Sequence, residues 1–317
     1  MRYKSFGQTG LKISALGVGT WAMGGRGWGG GDRVESISAL RAMVDLGVNH
    51  VDTAPAYGRG LAEEIVGEAI KGIRGDLIVT TKCGMNIDKP GMAVKTAAWD
   101  EILRGCEGSL TRMKLDYIDI LLLHWPDVNT PLQETMEAMD CLKKQGKIRF
   151  IGVSNLSVEQ MEEASKYADV AVTQLPFSMV DRSAGAIIQW AHGSGMATMT
   201  YGSLGAGILT GNIREYKEFG EGDVRGGFYG FFREPRFSKI MTLLKGMDKI
   251  AENRGVTAAQ VALNWAVQTE YVDTALVGVT KAKHAKENCQ AMEWELTDEE
   301  MLFLNEEIKN SLGSKGL

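Results

Sequence analysis

Residues 117–125 read YIDILLLHW, and residues 131–146 read PLQETMEAMDCLKKQG. The first stretch is almost continuously apolar, which is typical of a strand buried on both faces in a parallel sheet. The second has a helical pattern, with Pro131 near its start and Gly146 at its end, where these residues favour helix boundaries. A third stretch, FIGVSN at 150–155, is again apolar. This order predicts a β–α–β unit with parallel strands.

The same alternation of apolar and helical stretches runs along the chain of 317 residues. Eight strands that alternate with helices favour a closed barrel over an open sheet. The sequence therefore predicts an α/β fold, a (β/α)8 TIM barrel that forms a single domain over residues 1–317. The predicted strands cover residues 15–20, 49–54, 77–83, 117–125, 150–155, 170–177, 197–204 and 273–279.

Local signals add detail to this pattern. The N-terminal segments KSF and LKI, joined by GQTG, predict a β-hairpin outside the barrel, and extra helices are expected near the C-terminus. Ser157 and Gln160 have the spacing of a capping box. Thr96 is the expected N-cap of the helix that follows the third strand.

The composition argues against several classes of function. The formal net charge is −5, and no basic run is long enough to neutralise several phosphates, so we expect no nucleic-acid partner. No apolar leader or membrane-spanning stretch is visible, and the four cysteines form no CxxC pair, which together predict a cytoplasmic protein with reduced thiols. The histidines form neither HxH nor HExxH, so no metal site is expected. The oligomeric state stays open.

Charged and polar residues stand where the early predicted strands end. Asp52 ends the second strand and Tyr57 follows it, Lys82 ends the third, and His124 ends the fourth. Active sites of such barrels lie at the carboxyl ends of the strands. Burying one unpaired charge is costly, whereas opposite charges that cluster compensate each other. We therefore predict that these four side chains meet in a catalytic group.

Their chemistry suits the reduction of a carbonyl group. Tyr57 can donate a proton, but the ordinary pKa of a tyrosine is about 10. A nearby Lys82 ammonium, held charged by Asp52, is expected to lower that pKa. His124 can hydrogen-bond the carbonyl oxygen, so that the developing alkoxide lies between donors.

These stretches resemble the aldo-keto reductase superfamily over nearly the whole chain. HVDTAPAYGRGLAEEIVGEAI is similar to the family's Asp-Thr-Ala and Tyr-Gly signature, DLIVTTKCG to its lysine-bearing strand, and YIDILLLHWPD to its histidine-bearing strand. The resemblance implies hydride transfer from NAD(P)H to a small aldehyde or ketone without metal or flavin. It equally implies the reverse reaction on a sugar or alcohol.

The resemblance also implies an extended cofactor across the barrel mouth. Ser154, Asn155 and Gln174 are expected to hold the nicotinamide carboxamide, and Tyr201 to stack on the ring. The residues after Tyr201 are expected near the pyrophosphate, and residues 278–288 near the adenosine. The full cofactor set implied is Gly19, Thr20, Trp21, Ser154, Asn155, Gln174, Tyr201, Gly202, Ser203, Leu204, Gly205, Gly207, Leu209, Gly278, Thr280, Lys281, His284 and Asn288.

Two departures from the family pattern lie in the segments expected to bind the cofactor. YGSL at 201–204 stands where many relatives have Tyr-Ser-Pro-Leu, and the glycine loosens the backbone beside the cofactor. His284 stands where relatives often carry Arg or Gln. Because Lys281 and Lys283 lie close to this position, we expect NADP(H) rather than NAD(H).

The substrate and two competing functions stay open. Trp21 and Trp125 are candidates to contact the substrate, and the Gly-rich loops 21–34 and 205–236, with the aromatic residues of 228–232, are candidates for a lid. One alternative is an aldolase-type barrel in which Lys82 forms a Schiff base. The other is a cofactor-binding, redox-sensing regulatory subunit with little turnover, as the resemblance to potassium-channel-associated members of the superfamily implies.

Overall fold

The computed structural model contains a closed barrel of eight parallel strands, with helices around it. The structure describes residues 1–25, 27–28, 31–88, 93–216, 218–220 and 222–313. The barrel strands, in chain order, are β3 (Leu16–Gly19), β4 (His50–Asp52), β5 (Ile78–Cys83), β8 (Ile118–Leu123), β9 (Ile148–Ser154), β10 (Val170–Pro176), β11 (Ala197–Tyr201) and β12 (Thr274–Gly278). Strand β12 pairs with β3 and closes the ring, so the predicted barrel is confirmed.

Helices lie between the barrel strands and after the last one. Their bounds are α1 (Arg33–Asp45), α2 (Leu61–Ala69), α3 (Trp99–Met113), α4 (Leu132–Lys144), α5 (Val158–Ala164), α6 (Gly185–Gly193), α7 (Val224–Gly227), α8 (Arg236–Arg254), α9 (Ala258–Gln268), α10 (Ala282–Gln290) and α11 (Asp298–Leu312). Short 3-10 helices cover Trp21–Gly24, Arg74–Asp76, Gly205–Thr210, Gly230–Phe232 and Ala291–Glu293. Among the described residues, no helix is both long and apolar enough to cross a bilayer.

Two small antiparallel hairpins stand outside the barrel. The first, β1 (Tyr3–Ser5) with β2 (Lys12–Ser14), confirms the hairpin predicted at the N-terminus. Its Phe6 and Ile13 are fully buried and pack into the barrel interior with Ile120 and Met199. The hairpin therefore closes the end at which the strands begin, and the open mouth lies at their carboxyl ends. The second, β6 (Met85–Asn86) with β7 (Val94–Lys95), was not predicted and lies in the loop after β5.

The local capping signals were right in one case and wrong in another. Ser157 and Gln160 form the predicted capping box at the start of α5. Thr96, however, does not cap α3, which begins at Trp99 after Ala98. The Trp99 amide instead donates to the Glu134 carboxylate of α4 at 2.8 Å. The free amide at the start of α3 thus finds its acceptor in a residue distant in sequence. No local sequence pattern reveals such a partner.

Within the long loop predicted over 205–236, the described residues form short helical turns, the 3-10 helices Gly205–Thr210 and Gly230–Phe232 and the helix α7, before α8 begins. Gly202 has φ of +76° and ends β11 at Tyr201, three residues before the predicted end of this strand. Parts of both predicted lid loops, residues 26, 29, 30, 217 and 221, lie outside the described residues.

Candidate active site

A buried ion pair joins the carboxyl ends of β4 and β5. The Lys82 ammonium donates to both carboxylate oxygens of Asp52, at 2.8 and 2.7 Å, and to the Thr53 carbonyl at 2.9 Å. The two residues are 1% and 2% exposed. All three protons of the ammonium are therefore used, which offsets the cost of taking both charges out of water.

Tyr57 and His124 lie against this pair. The Tyr57 ring centroid is 5.0 Å from the Lys82 ammonium, and the Tyr57 and His124 rings are 6.0 Å apart at 85°. The turn after β4 positions Tyr57, because the Tyr57 amide donates to Ala54 and its carbonyl accepts from Ala62 at the start of α2. The structure thus brings together the four residues predicted from the strand ends.

The pKa of Tyr57 corrects one expectation. Burial raises the pKa of this phenol well above its ordinary value, and the Asp52 carboxylate raises it further. The expectation from the sequence, that Lys82 and Asp52 lower this pKa, is therefore wrong. The Lys82 ammonium donates its three hydrogen bonds to Asp52 and Thr53, so its attraction for the phenolate does not outweigh burial and the Asp52 carboxylate. Tyr57 is therefore protonated at neutral pH, in the form that can donate a proton.

His124 is also uncharged. Burial, and then the Lys82 ammonium, hold the pKa of its imidazole well below the ordinary value. A neutral imidazole carries one N–H, which can donate to a carbonyl oxygen. The Nδ1 atom of His124 is buried and has no hydrogen-bond partner among the described residues. The site thus offers two uncharged donors beside one compensated ion pair.

The later strand ends connect to this group through hydrogen bonds. The Gln174 amide donates to Asp52 Oδ1 at 2.6 Å. Asn155 donates to the His124 carbonyl at 3.0 Å, and its side-chain oxygen accepts from the Tyr201 hydroxyl at 2.9 Å. Asn155 has φ of +63°, a left-handed conformation that asparagine tolerates better than most residues. The residues expected to hold a nicotinamide and those expected to transfer a proton form one network.

The loop after β11 turns sharply and leaves open space. Positive φ angles occur at Gly202, Gly205, Ala206 and Gly207. A Cβ added at Gly202, Gly207 or Gly278 would meet no described atom within 4 Å. A backbone with free space at its glycines fits an anionic group that approaches the main chain closely. These features fit the pyrophosphate end of a dinucleotide.

Several residues of the expected cofactor set turn their side chains inward. The Ser203 hydroxyl is buried and donates to the Leu276 carbonyl at 2.9 Å, and the Thr20 hydroxyl donates to the Asp52 carbonyl at 3.0 Å. Leu209 is fully buried in the core. Only the main chain of these residues is available to a ligand. At the other end of the mouth, Lys281, Lys283 and His284 are exposed around the start of α10, whereas Asn288 is buried.

Aromatic side chains stand next to Tyr57 and His124. Trp21 stacks on Tyr57 with centroids 6.1 Å apart at 26°. The two turns approach closely, because a Cβ at Gly24 would lie 2.6 Å from the Gly58 nitrogen. Trp125 follows His124, and the Lys95 ammonium lies 4.9 Å from its ring. Sequence reasoning missed Lys95, since nothing local links the unpredicted hairpin β6–β7 to Trp125.

Comparison with protein families gives a match to the aldo/keto reductase family model over residues 15–308. The chain belongs to the aldo/keto reductase family. Aldo-keto reductase YhdN of Bacillus subtilis is 37% identical over 316 residues, covering 98% of this chain and 95% of that protein. The NADH-specific methylglyoxal reductase of Escherichia coli is 30% identical, covering 96% and 98%. A probable voltage-gated potassium channel subunit beta of Arabidopsis thaliana is 32% identical, covering 92% of each.

Solved aldo-keto reductase structures share the fold. The glycerol dehydrogenase AKR11B4 from Gluconobacter oxydans has a TM-score of 0.89 and 31% identity, covering 98% of this chain and 96% of that one. An aldo/keto reductase from Klebsiella pneumoniae in complex with NADP and acetate has a TM-score of 0.73 and 30% identity, covering 95% and 93%. As an aldo-keto reductase, the chain is an oxidoreductase enzyme with small-molecule substrates.

Proposed function

We propose that this enzyme reduces an aldehyde or ketone to an alcohol with NAD(P)H, or runs in reverse on an alcohol or sugar, with Asp52, Tyr57, Lys82 and His124 as its catalytic group. The observation that carries the proposal is the buried Asp52–Lys82 pair beneath two uncharged donors, Tyr57 and His124. Because the ends of neighbouring parallel strands present all four, a carbonyl oxygen at the barrel mouth can contact both donors.

Each residue has a defined task in this mechanism. A bound nicotinamide would supply the hydride. His124 orients the carbonyl oxygen through an N–H, and Tyr57 gives its proton to that oxygen as negative charge develops on it. Lys82 then lies 5.0 Å from the ring of the resulting phenolate and attracts it. Asp52 holds Lys82 in place, and the same steps in reverse make Tyr57 a general base.

We further propose that the cofactor contacts the residues of the expected set, with Asn155 and Gln174 at the nicotinamide, Tyr201 stacked on it, and the open glycines at the pyrophosphate. The exposed lysines at the start of α10 support NADP(H) over NAD(H), since a helix N-terminus with added cations favours a 2′-phosphate. The NADP complex of the Klebsiella relative also supports this preference. The NADH-specific name of the Escherichia coli relative points the other way.

The substrate is proposed to contact Trp21 and Trp125, which flank the proton-donor group. We also propose that residues 1–317 form one domain and that the protein is cytoplasmic. The barrel strands and the surrounding helices share one continuous apolar cluster, which supports the first proposal. The four unpaired cysteines support the second, because such thiols suit a reducing compartment.

Lys82 as a Schiff-base nucleophile is disfavoured. A nucleophilic lysine must release a proton and reach a substrate carbonyl. The Lys82 ammonium is 1% exposed and donates to three oxygens, so attack would break the ion pair and leave Asp52 unpaired. Borohydride trapping of an aldehyde on Lys82 would reverse this judgement.

A regulatory subunit with little turnover is the second candidate, because a plant channel subunit is 32% identical to this chain. The test measures two quantities on the same protein, the Kd for NADPH and NADH by fluorescence and the oxidation of each by methylglyoxal and simple aldehydes. Binding with turnover supports the reductase. Tight binding with no turnover of any carbonyl would favour the regulatory subunit and remove the proposed function.

A further inference from the structure

Four aromatic rings from two separate loops gather above Tyr57, and we name them the aromatic box: Trp21, Trp28, Phe228 and Tyr229. The Trp21 ring is central, with its centroid 5.3 Å from Trp28, 6.1 Å from Phe228 and 6.4 Å from Tyr229. The rings of Phe228 and Tyr229 also touch, 5.0 Å apart at 81°. Trp21 links the box to the proton donor, because it stacks on Tyr57.

The two loops of the box are joined at one point. The Val224 amide donates to the Gly27 carbonyl at 2.9 Å. Gly27 has φ of +80°, and a Cβ there would lie 2.4 Å from Val224 Cγ1. A side chain at position 27 would therefore force Val224, or the loop that carries it, to move. We name this contact between Gly27 and Val224 the latch.

The box has the surface of a binding site rather than of a closed core. Phe228 is 69% exposed, although it packs on Trp21. The indole nitrogen of Trp28 is buried and has no hydrogen-bond partner among the described residues. An exposed ring edge beside a reactive centre, with one unused donor, suits a ligand that is mostly apolar.

We propose that the aromatic box, held closed by the latch, binds the group attached to the substrate carbonyl and selects flat aromatic groups over saturated ones of equal size. The proposal rests on the proposed reductase function. Rings that meet at right angles present both faces and edges, against which a planar ring packs in stacked or edge-to-face geometry. A carboxylate or phosphate group would lose its water against these rings without gaining a partner from them.

The first experiment compares benzaldehyde with cyclohexanecarbaldehyde, which match in size and differ in flatness. The measured quantity is the ratio of their kcat/KM values, in which general losses of activity cancel. Phe228→Ala and Trp28→Ala should each lower this ratio about 3- to 10-fold, mostly through the KM for benzaldehyde. The control is Tyr216→Ala, which removes another exposed ring, 60% exposed and packed on Phe237 outside the box. It should leave the ratio unchanged.

The second experiment tests the latch. Gly27→Ala combines backbone strain with the clash against Val224, whereas Gly222→Ala imposes the same strain at φ of +80° with no described atom within 4 Å. Gly27→Ala should lower the ratio and weaken the near-ultraviolet circular dichroism of the coupled rings, and Gly222→Ala should do neither. Val224→Ala removes the clashing methyl, so the double variant Gly27→Ala/Val224→Ala should regain most of both signals.

The outcomes separate the two levels of the proposal. Turnover of both aldehydes with a ratio that Phe228→Ala, Trp28→Ala and Gly27→Ala all leave unchanged would overturn the aromatic selection and leave the reductase standing. A Gly27→Ala defect that Val224→Ala does not correct would overturn the latch. Reduction of methylglyoxal without turnover of either ring aldehyde would overturn the aromatic selection alone. No turnover of any of these carbonyls by the wild-type enzyme would remove the reductase function, and the substrate class with it.

Discussion

The early and late halves of the barrel mouth are built in different ways. On the early side, the Asp52–Lys82 pair is buried and every ammonium proton has an acceptor. On the late side, the chain after Tyr201 runs through positive φ angles, and the lysines at the start of α10 are exposed. In the early half, two opposite charges are paired and shielded from water. In the late half, backbone groups and lysine side chains are exposed to a ligand. Substitutions in the early half should therefore lower stability and activity far more than substitutions in the late half.

The largest effect is expected at Lys82. Lys82→Met leaves Asp52 buried without its partner, which should lower the free energy of unfolding by about 3–5 kcal/mol and abolish turnover. The double variant Asp52→Asn/Lys82→Met removes both charges, so it should regain most of the stability and none of the activity. Urea unfolding and NADPH oxidation measure the two effects. If the single variant Lys82→Met is as stable as wild type, the proposed difference between the two halves is wrong.

A smaller effect, on the pH dependence of stability, is expected at His50, which lies below the ion pair. This fully buried side chain contacts Thr80 at 3.0 Å, and burial, with Lys82, lowers the pKa of His50 to about 3. The unfolded chain binds a proton near pH 6.5 and the folded one does not. Stability from His50 is thus complete above about pH 6.5 and is lost as the pH falls, at about 1.4 kcal/mol per unit.

The His50→Gln variant should therefore lose less stability than wild type between about pH 7 and 5. His284→Gln, at an exposed position on α10, is the matched control and should follow the wild-type curve. Urea unfolding at the two pH values measures the difference. If His50→Gln is as acid-sensitive as wild type, His50 is not held neutral by burial.

The smallest effect is expected on the late half, at Lys281 and Lys283. The double variant Lys281→Ala/Lys283→Ala should raise the Kd for NADPH about 5- to 20-fold and leave the Kd for NADH nearly unchanged, because only NADPH carries the 2′-phosphate. Lys286→Ala, also exposed on α10, is the control. Equal effects on both cofactors would contradict the assignment of these lysines to the phosphate.

The sequence predicted the features that depend on burial. The barrel strands were found because they are apolar on both faces, and Asp52, Lys82 and His124 were found because polar residues end those strands. It could not predict contacts between distant segments. Neither the Gln174–Asp52 hydrogen bond nor the Gly27–Val224 latch leaves a local pattern.

The direction of the Tyr57 pKa was missed for a related reason. The sequence places a lysine and an aspartate near the phenol, but it does not show whether the lysine donates its hydrogen bonds to the aspartate or to the phenol. In the structure, the Asp52 carboxylate accepts two hydrogen bonds from the Lys82 ammonium. Burial of the Tyr57 phenol is then the largest cause of its raised pKa. The raised pKa keeps the phenol in the protonated form that a donor needs but makes it a weaker acid, so the predicted lowering is wrong, while the role of Tyr57 as proton donor stays a proposal.

The central claim is that Tyr57 donates the proton from within a preassembled group. The most direct measurement is kcat for carbonyl reduction by Tyr57→Phe, together with the Kd for NADPH on the same preparation. The variant removes one oxygen and keeps the ring that Trp21 stacks on. The account predicts that kcat falls by about 10³-fold or more while Kd changes less than about threefold. A fully active Tyr57→Phe enzyme would contradict it.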